Sequence, residues 1–216
     1  MNLAEYQQII NELTIKIKDA TDVAEKIEIM NLSQGGLLKE IIMANCLGHF
    51  VYPHKKQHDA FTIPSLSHIF TLSDIISDVS CHKKYEYLTS LCSKSSRDRA
   101  KFQFHDMKIS SINERVGKYH ATYFGYFNVN NPMVVFDIKE AETSFMIDIV
   151  IDKITNSIHK ANNTLQRNNI KFELENYINN NTVPTLSAIT NALKSNKKFH
   201  ISIYGHEINN LASVFP

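Results

Sequence analysis

The chain predicts an α+β (or α/β-like) fold, with a mixed central β-sheet flanked by helices, on three observations. Apolar residues recur at helical spacing near both ends, strict alternation fills the middle, and turn residues punctuate the two regimes. With 216 residues and 43% hydrophobic content, the chain is expected to form one domain over 1–216 with a buried core. That size and composition fit neither a disulfide mini-protein nor a disordered tail. Within it, residues 1–50 read as helical, 33–140 as the sheet-bearing core, and 140–216 as helices with a last strand.

Leu3, Ile9, Ile10, Leu13, Ile17, Val23, Ile27 and Met30 lie near a helical period, as one long or two short amphipathic helices. After a break at Ser33 to Gly36, Leu37, Leu38, Ile41, Ile42 and Cys46 form the stripe of a buried helix, with Glu40 on or beside it. Pro53 ends this helix, and 55–64 suits a strand. Residues 65–79 fit helix and strand equally. The stretch 83–91 alternates Tyr85, Tyr87 and Thr89 against Lys84, Glu86, Leu88 and Ser90, and 101–109 alternates again, so 83–109 reads as strand, loop and partner strand.

The apolar runs 119–127 and 132–138 flank Asn128-Val129-Asn130-Asn131, a hairpin turn with asparagine where positive φ is tolerated. From Glu140 to about Lys160, Phe145, Met146, Ile149, Val150, Ile154 and Ile158 take helical spacing. A helix through 172–178 follows, then one opened by Pro184, the strand 199–205 and a short terminal helix. The segments 63–69 and 183–189 echo one another, which a proline-initiated helix start written twice explains better than a repeat.

Composition excludes several functions. The 23 basic and 22 acidic residues nearly cancel, so any nucleic-acid surface must be a local patch. Cys46, Cys81 and Cys92 have neither disulfide-framework nor zinc-ribbon spacing, which points to reduced thiols and a cytoplasmic protein. The first twenty residues carry acids through their apolar positions and lack a secretory leader's pattern, and no apolar run is long enough for a membrane span. Ten histidines are scattered without paired metal-ligand spacing, and six glycines leave no GxSxG, GxGxxG or P-loop pattern.

What remains is a set of carboxylates. Asp59 is expected on the first strand, Glu86 lies 27 residues later on the next, and Glu40 comes from the helix before both. Hard cations such as Mg²⁺ take a few carboxylate oxygens and keep several waters. Taken singly, each acid also fits a plain structural role, as an ion pair, a turn residue or an exposed helix position.

In this order of helix acid, Asp strand and Glu strand, the chain resembles the PD-(D/E)xK nuclease family, and within it the type II restriction endonucleases, over roughly residues 33–140. The resemblance implies a restriction endonuclease-like core and a Mg²⁺ site with Asp59, Glu86 and Glu40 as metal ligands. Leu88 stands where that family places lysine. If 84–90 and 101–106 pair, Lys101 or Gln103 comes beside Glu86, and Lys101 takes the catalytic lysine's role. A rival set is Asp106 with the literal DxK of Asp137 and Lys139. Lys94, Ser95, Ser96, Arg97 and Arg99 form a loop whose side chains suit DNA phosphates.

The expected function is Mg²⁺-dependent, site-specific cleavage of double-stranded DNA by a homodimer. The alternative is a non-catalytic DNA-binding or regulatory protein of a phage or defence system, with 184–196 as a recognition helix. A third option, a small-molecule binder built on the aromatic hairpin 119–136, competes with those aromatics simply being core.

Overall fold

A computed structural model describes residues 3–26, 29, 32, 36–52, 58–62, 83–115 and 119–215. The ambiguous segment 65–79, Cys81 and the first copy of the 63–69 echo lie outside these residues. Helices α1 (Leu3–Glu25) and α2 (Leu37–Leu47) lead into short strands β1 (Phe50–Val51) and β2 (Ala60–Thr62), then the long β3 (Lys83–Cys92). A 3-10 turn (Lys94–Arg99), β4 (Lys101–Met107) and α3 (Ile109–Arg115) connect β3 to the hairpin β5 (Ala121–Asn128) and β6 (Asn131–Glu142). The chain closes with α4 (Thr143–Ala161), α5 (Arg167–Asn180), α6 (Ser187–Lys194), β7 (Phe199–Tyr204) and α7 (Gly205–Ile208).

The fold is α+β. Five strands form a mixed sheet in the order β1-β2-β3-β5-β6, and β4 with β7 makes a separate two-stranded sheet. β3 runs parallel to β5 from Tyr85 beside Ala121 to Cys92 beside Asn128, while the other pairs are antiparallel. One face carries Tyr85, Tyr87, Tyr123, Phe127 and Ile138 against Met43 and Ala44 of α2. The other carries Leu88, Phe124 and Tyr126 against β4, β7 and the helices α3 to α6. β5 is buried on both faces, as a near-continuous aromatic run requires.

The alternating segments 83–92 and 101–107 are both strands but do not pair with each other. β3 pairs with β2 and β5, and β4 with β7, Phe102 opposite Ile203. β4 has one apolar face, Phe102, Phe104 and Met107, and lays it on the sheet instead of joining its edge. Phe102 meets Phe124 and Tyr126 edge-on, with centroids 5.1 Å apart in both pairs. Alternation marks a half-buried strand and leaves its partner open.

The hairpin at 128–131 forms, but none of its asparagines takes a positive φ; instead Asn128 Oδ1 accepts the Asn130 N–H at 2.9 Å. β6 runs on to Glu142, so the following helix starts at Thr143, not Glu140. Glu140, Ala141 and Glu142 oppose Tyr123, Thr122 and Ala121, and this ladder outweighs their helix propensity. The helix after Pro184 begins at Ser187, and the terminal helix is only Gly205–Ile208. No described helix is long and apolar enough to cross a membrane.

Candidate active site

Asp59 immediately precedes β2. Ala60 lies opposite Tyr85, and continuing that antiparallel register by one residue sets Asp59 across from Glu86. The ladder loosens here. The Asp59 N–H donates to the Tyr85 carbonyl at 3.2 Å, and its carbonyl accepts the Tyr52 N–H at 3.0 Å. Oδ2 of Asp59 then accepts the Tyr87 N–H at 2.7 Å, standing in for the backbone acceptor that β2 no longer offers.

Glu86 alternates with Tyr85 and Tyr87 and so projects from the opposite face of β3. There Arg115, at the end of α3, donates from Nη1 to Oε1 of Glu86 at 2.9 Å. The Arg115 guanidinium also stands over the rings of Phe104 and Tyr119, 5.4 and 5.5 Å from their centroids. Burial works against its charge, but Glu86, with Tyr119 and Asp59, outweighs that cost and holds the Arg115 pKa above the ordinary value. Tyr119 donates a further hydrogen bond to Glu86, and burial and that carboxylate together push its phenol well above the usual range. Asp59 acts on both Arg115 and Tyr119 as well, so the two acids share one electrostatic neighbourhood.

On the α2 face, His49 lies flat on Tyr85, with centroids 4.1 Å apart and planes 7° apart, and its Nδ1 shares a hydrogen bond with the Tyr87 hydroxyl at 2.7 Å. Burial lowers the His49 pKa from 6.5 to about 4. Burial also raises the Tyr87 phenol, helped by Tyr123, Asp59, Tyr85 and Glu40. Tyr87 thus links the two sides, its backbone holding Asp59 and its ring packing beneath α2.

Glu40 sits on α2, the helix packed against the Tyr87 face, with the sheet between it and Glu86. No group of three or more His, Cys, Asp or Glu side chains close enough to hold a metal ion occurs among the described residues. Glu40, Asp59 and Glu86 therefore do not close into a three-carboxylate cage. Asp59 and Glu86 alone remain a suitable hard-oxygen pair for Mg²⁺, which is bound through one or two carboxylates together with waters and substrate phosphates.

Lys101 does not reach Glu86. Its N–H donates to Ser90 Oγ at 3.0 Å, four residues along β3 and roughly 13 Å from Glu86 at strand rise. The cation beside Glu86 is Arg115, which sequence reasoning missed because 109–115 is a two-turn helix too short for a periodic signal.

The rival set is divided. Asp137, buried, accepts from Arg97 Nη1 at 3.1 Å and from Ser213 Oγ at 2.6 Å. Lys139, also buried, donates from Nζ to the Leu211 carbonyl at 2.7 Å. Asp106 lies on the separate sheet at φ 56°, paired with Lys198 at 3.1 Å, and that hydrogen bond lowers its pKa.

The basic loop is a 3-10 turn whose serines serve its own closure. Ser96 Oγ accepts the Ser93 N–H at 3.0 Å and contacts Ser93 Oγ at 2.8 Å, while Ser95 Oγ lies 3.1 Å from Ser93 Oγ. Arg97 is committed to Asp137, leaving Lys94 and Arg99 as exposed cations. This turn follows the far end of β3, six residues and roughly 20 Å beyond Glu86, rather than beside the acids. Compared with known proteins, the chain matches no family model and no curated sequence.

Proposed function

We propose that the protein is a Mg²⁺-dependent endonuclease acting on double-stranded DNA. The observation that carries this reading is the antiparallel register of β2 and β3, which, continued by one residue, sets Asp59, just before β2, across from Glu86 of β3. Mg²⁺ bound by such a pair supplies activation of a water and neutralisation of charge on the phosphodiester. The Tyr87 N–H orients the Asp59 carboxylate, and Arg115 with Tyr119 orients that of Glu86. Arg115 stays protonated and so cannot take a proton from water; beside the two acids its role is to hold the phosphate. Lys94 and Arg99, at the other end of β3, suit backbone contacts farther along a duplex. A homodimer would match a palindromic site, and the free thiols of Cys46 and Cys92 suit a cytoplasmic protein.

A second reading, a DNA-binding protein without cleavage, is favoured by one observation. Glu86 is already engaged by Arg115 and Tyr119, as in a site held closed by its own ion pair. Long duplex DNA of diverse sequence, incubated with the protein with and without Mg²⁺ and resolved on a gel, separates the two. Discrete Mg²⁺-dependent fragments support the endonuclease. Intact DNA with retarded mobility in both lanes supports the binder.

A further inference from the structure

Helix α1 spans 23 residues, yet its described side chains are almost all exposed, and only Ala24 at its end is anchored to the body, against Ile29 and Leu37. Ile9, Leu13, Ile17 and Val23 are 53%, 52%, 60% and 61% exposed. A helix standing clear of the described body is marginal in water, since most helical stability comes from packing an apolar face. The spacing says what that face fits. Leu3, Ile10, Ile17 and Ala24 recur every seven residues, and Tyr6, Leu13 and Ala20 recur every seven, three positions later. These are the a and d positions of a three-heptad coiled-coil seam.

We propose that α1 is the surface through which two copies of this chain associate, as a parallel two-stranded coiled coil. Three observations select a second copy in this orientation. β-Branched Ile10 and Ile17 at a with Leu13 at d is the combination that favours parallel dimers. The flanking positions also agree. In the parallel arrangement Ile9 and Lys16 meet the partner copy's Thr14 and Thr21, and no like charges face each other. An antiparallel pair that seats Tyr6 against the partner copy's Ala24 would set Lys16 beside its own copy. Finally, a helix of this length is about 34 Å long and about 10 Å across, and two such seams together bury about 1,000 Å², the lower bound for a specific interface. The dimer is therefore concentration-dependent. None of this rests on the nuclease reading.

Sedimentation equilibrium of the full-length protein over a concentration series tests the proposal. The expected result is a monomer–dimer equilibrium that Leu13→Lys abolishes and Ile15→Lys leaves intact, because Ile15 is 60% exposed but lies on the far side of the helix from the seam. Leu13→Lys should unfold as the wild-type protein does at dilutions where that is monomeric. A Leu13→Cys variant should form an oxidised covalent dimer above the wild-type background from the native cysteines. A monomer at every concentration, or a dimer equally sensitive to Ile15→Lys, overturns the proposal. A monomer destabilised by Leu13→Lys also overturns it, by assigning the stripe to another segment of the same chain. A dimer that responds to Leu13→Lys but does not cross-link through Leu13→Cys overturns the parallel pairing.

Discussion

Arg115 and His49 do for the candidate site what no acid in it can do alone. Arg115 satisfies a half-buried Glu86, so Arg115→Met should cost about 1–3 kcal/mol, the penalty for leaving a charged group unpaired. Urea unfolding measures this, and part of the loss should return in the Arg115→Met, Glu86→Gln double variant, where neither charge remains. His49 makes a pH prediction. Its pKa is lowered in the fold from 6.5 to about 4, so the unfolded chain binds the extra proton across that window. Stability is then fully present above about pH 6.5 and is lost as the pH falls toward 4, by at most about 3 kcal/mol and less for a ring only part-buried. Denaturant unfolding at pH 7 and pH 5 reads the slope, and His49→Phe should flatten it. Sequence spacing offered neither residue, because each acts through an alignment of rings and an ion pair that exist only once α2 and α3 are docked.

Among the elements, the strands were legible and their partners were not. The alternating segments 83–91 and 101–109 correspond to strands β3 and β4, the second ending at Met107, but Lys101 was carried to Glu86 only by assuming that consecutive strands pair. β4 instead spends its one apolar face on Phe124 and Tyr126, so Phe102→Ala should cost about 3–5 kcal/mol, visible as a lowered urea midpoint. The close approach of α7 to the 3-10 turn gives a second test at this scale. A Cβ on Gly205 would come within 1.8 Å of the Arg97 carbonyl oxygen, a backbone collision that cannot relax by a rotamer change. Gly205→Ala is expected to lower the thermal midpoint and to loosen the Arg97–Asp137 pair, whereas Ser95→Ala, on the exposed side of the turn, should leave both near wild type.

At the level of the whole molecule, the order of helix acid, Asp strand and Glu strand in the sequence corresponds to the place where β2 meets β3, one strand in from the β1 edge, with β5 parallel beyond it. The order did not reveal that the sheet itself separates the acids. Alternation along β3 sends Glu86 away from the face that α2 covers, so Glu40 and Glu86 lie on opposite sides, a consequence of strand parity that becomes visible only once Tyr85 and Tyr87 are known to pack on α2. Asp59, opposite Glu86 when the register is continued and tied through Oδ2 to the Tyr87 N–H, is the acid on which the proposed metal site depends. The most direct measurement is therefore Mg²⁺-dependent cleavage of duplex DNA by Asp59→Asn, Glu86→Gln and Glu40→Gln compared with the wild-type protein. Asp59→Asn retains an oxygen for the Tyr87 N–H and so tests charge more than folding. Asp59→Asn and Glu86→Gln should each lose cleavage by at least about a hundredfold, on the order expected for a lost metal ligand, while Glu40→Gln stays within a few-fold of wild type. Undiminished cleavage by Asp59→Asn and Glu86→Gln, or cleavage lost only in Glu40→Gln, would contradict the proposed metal site.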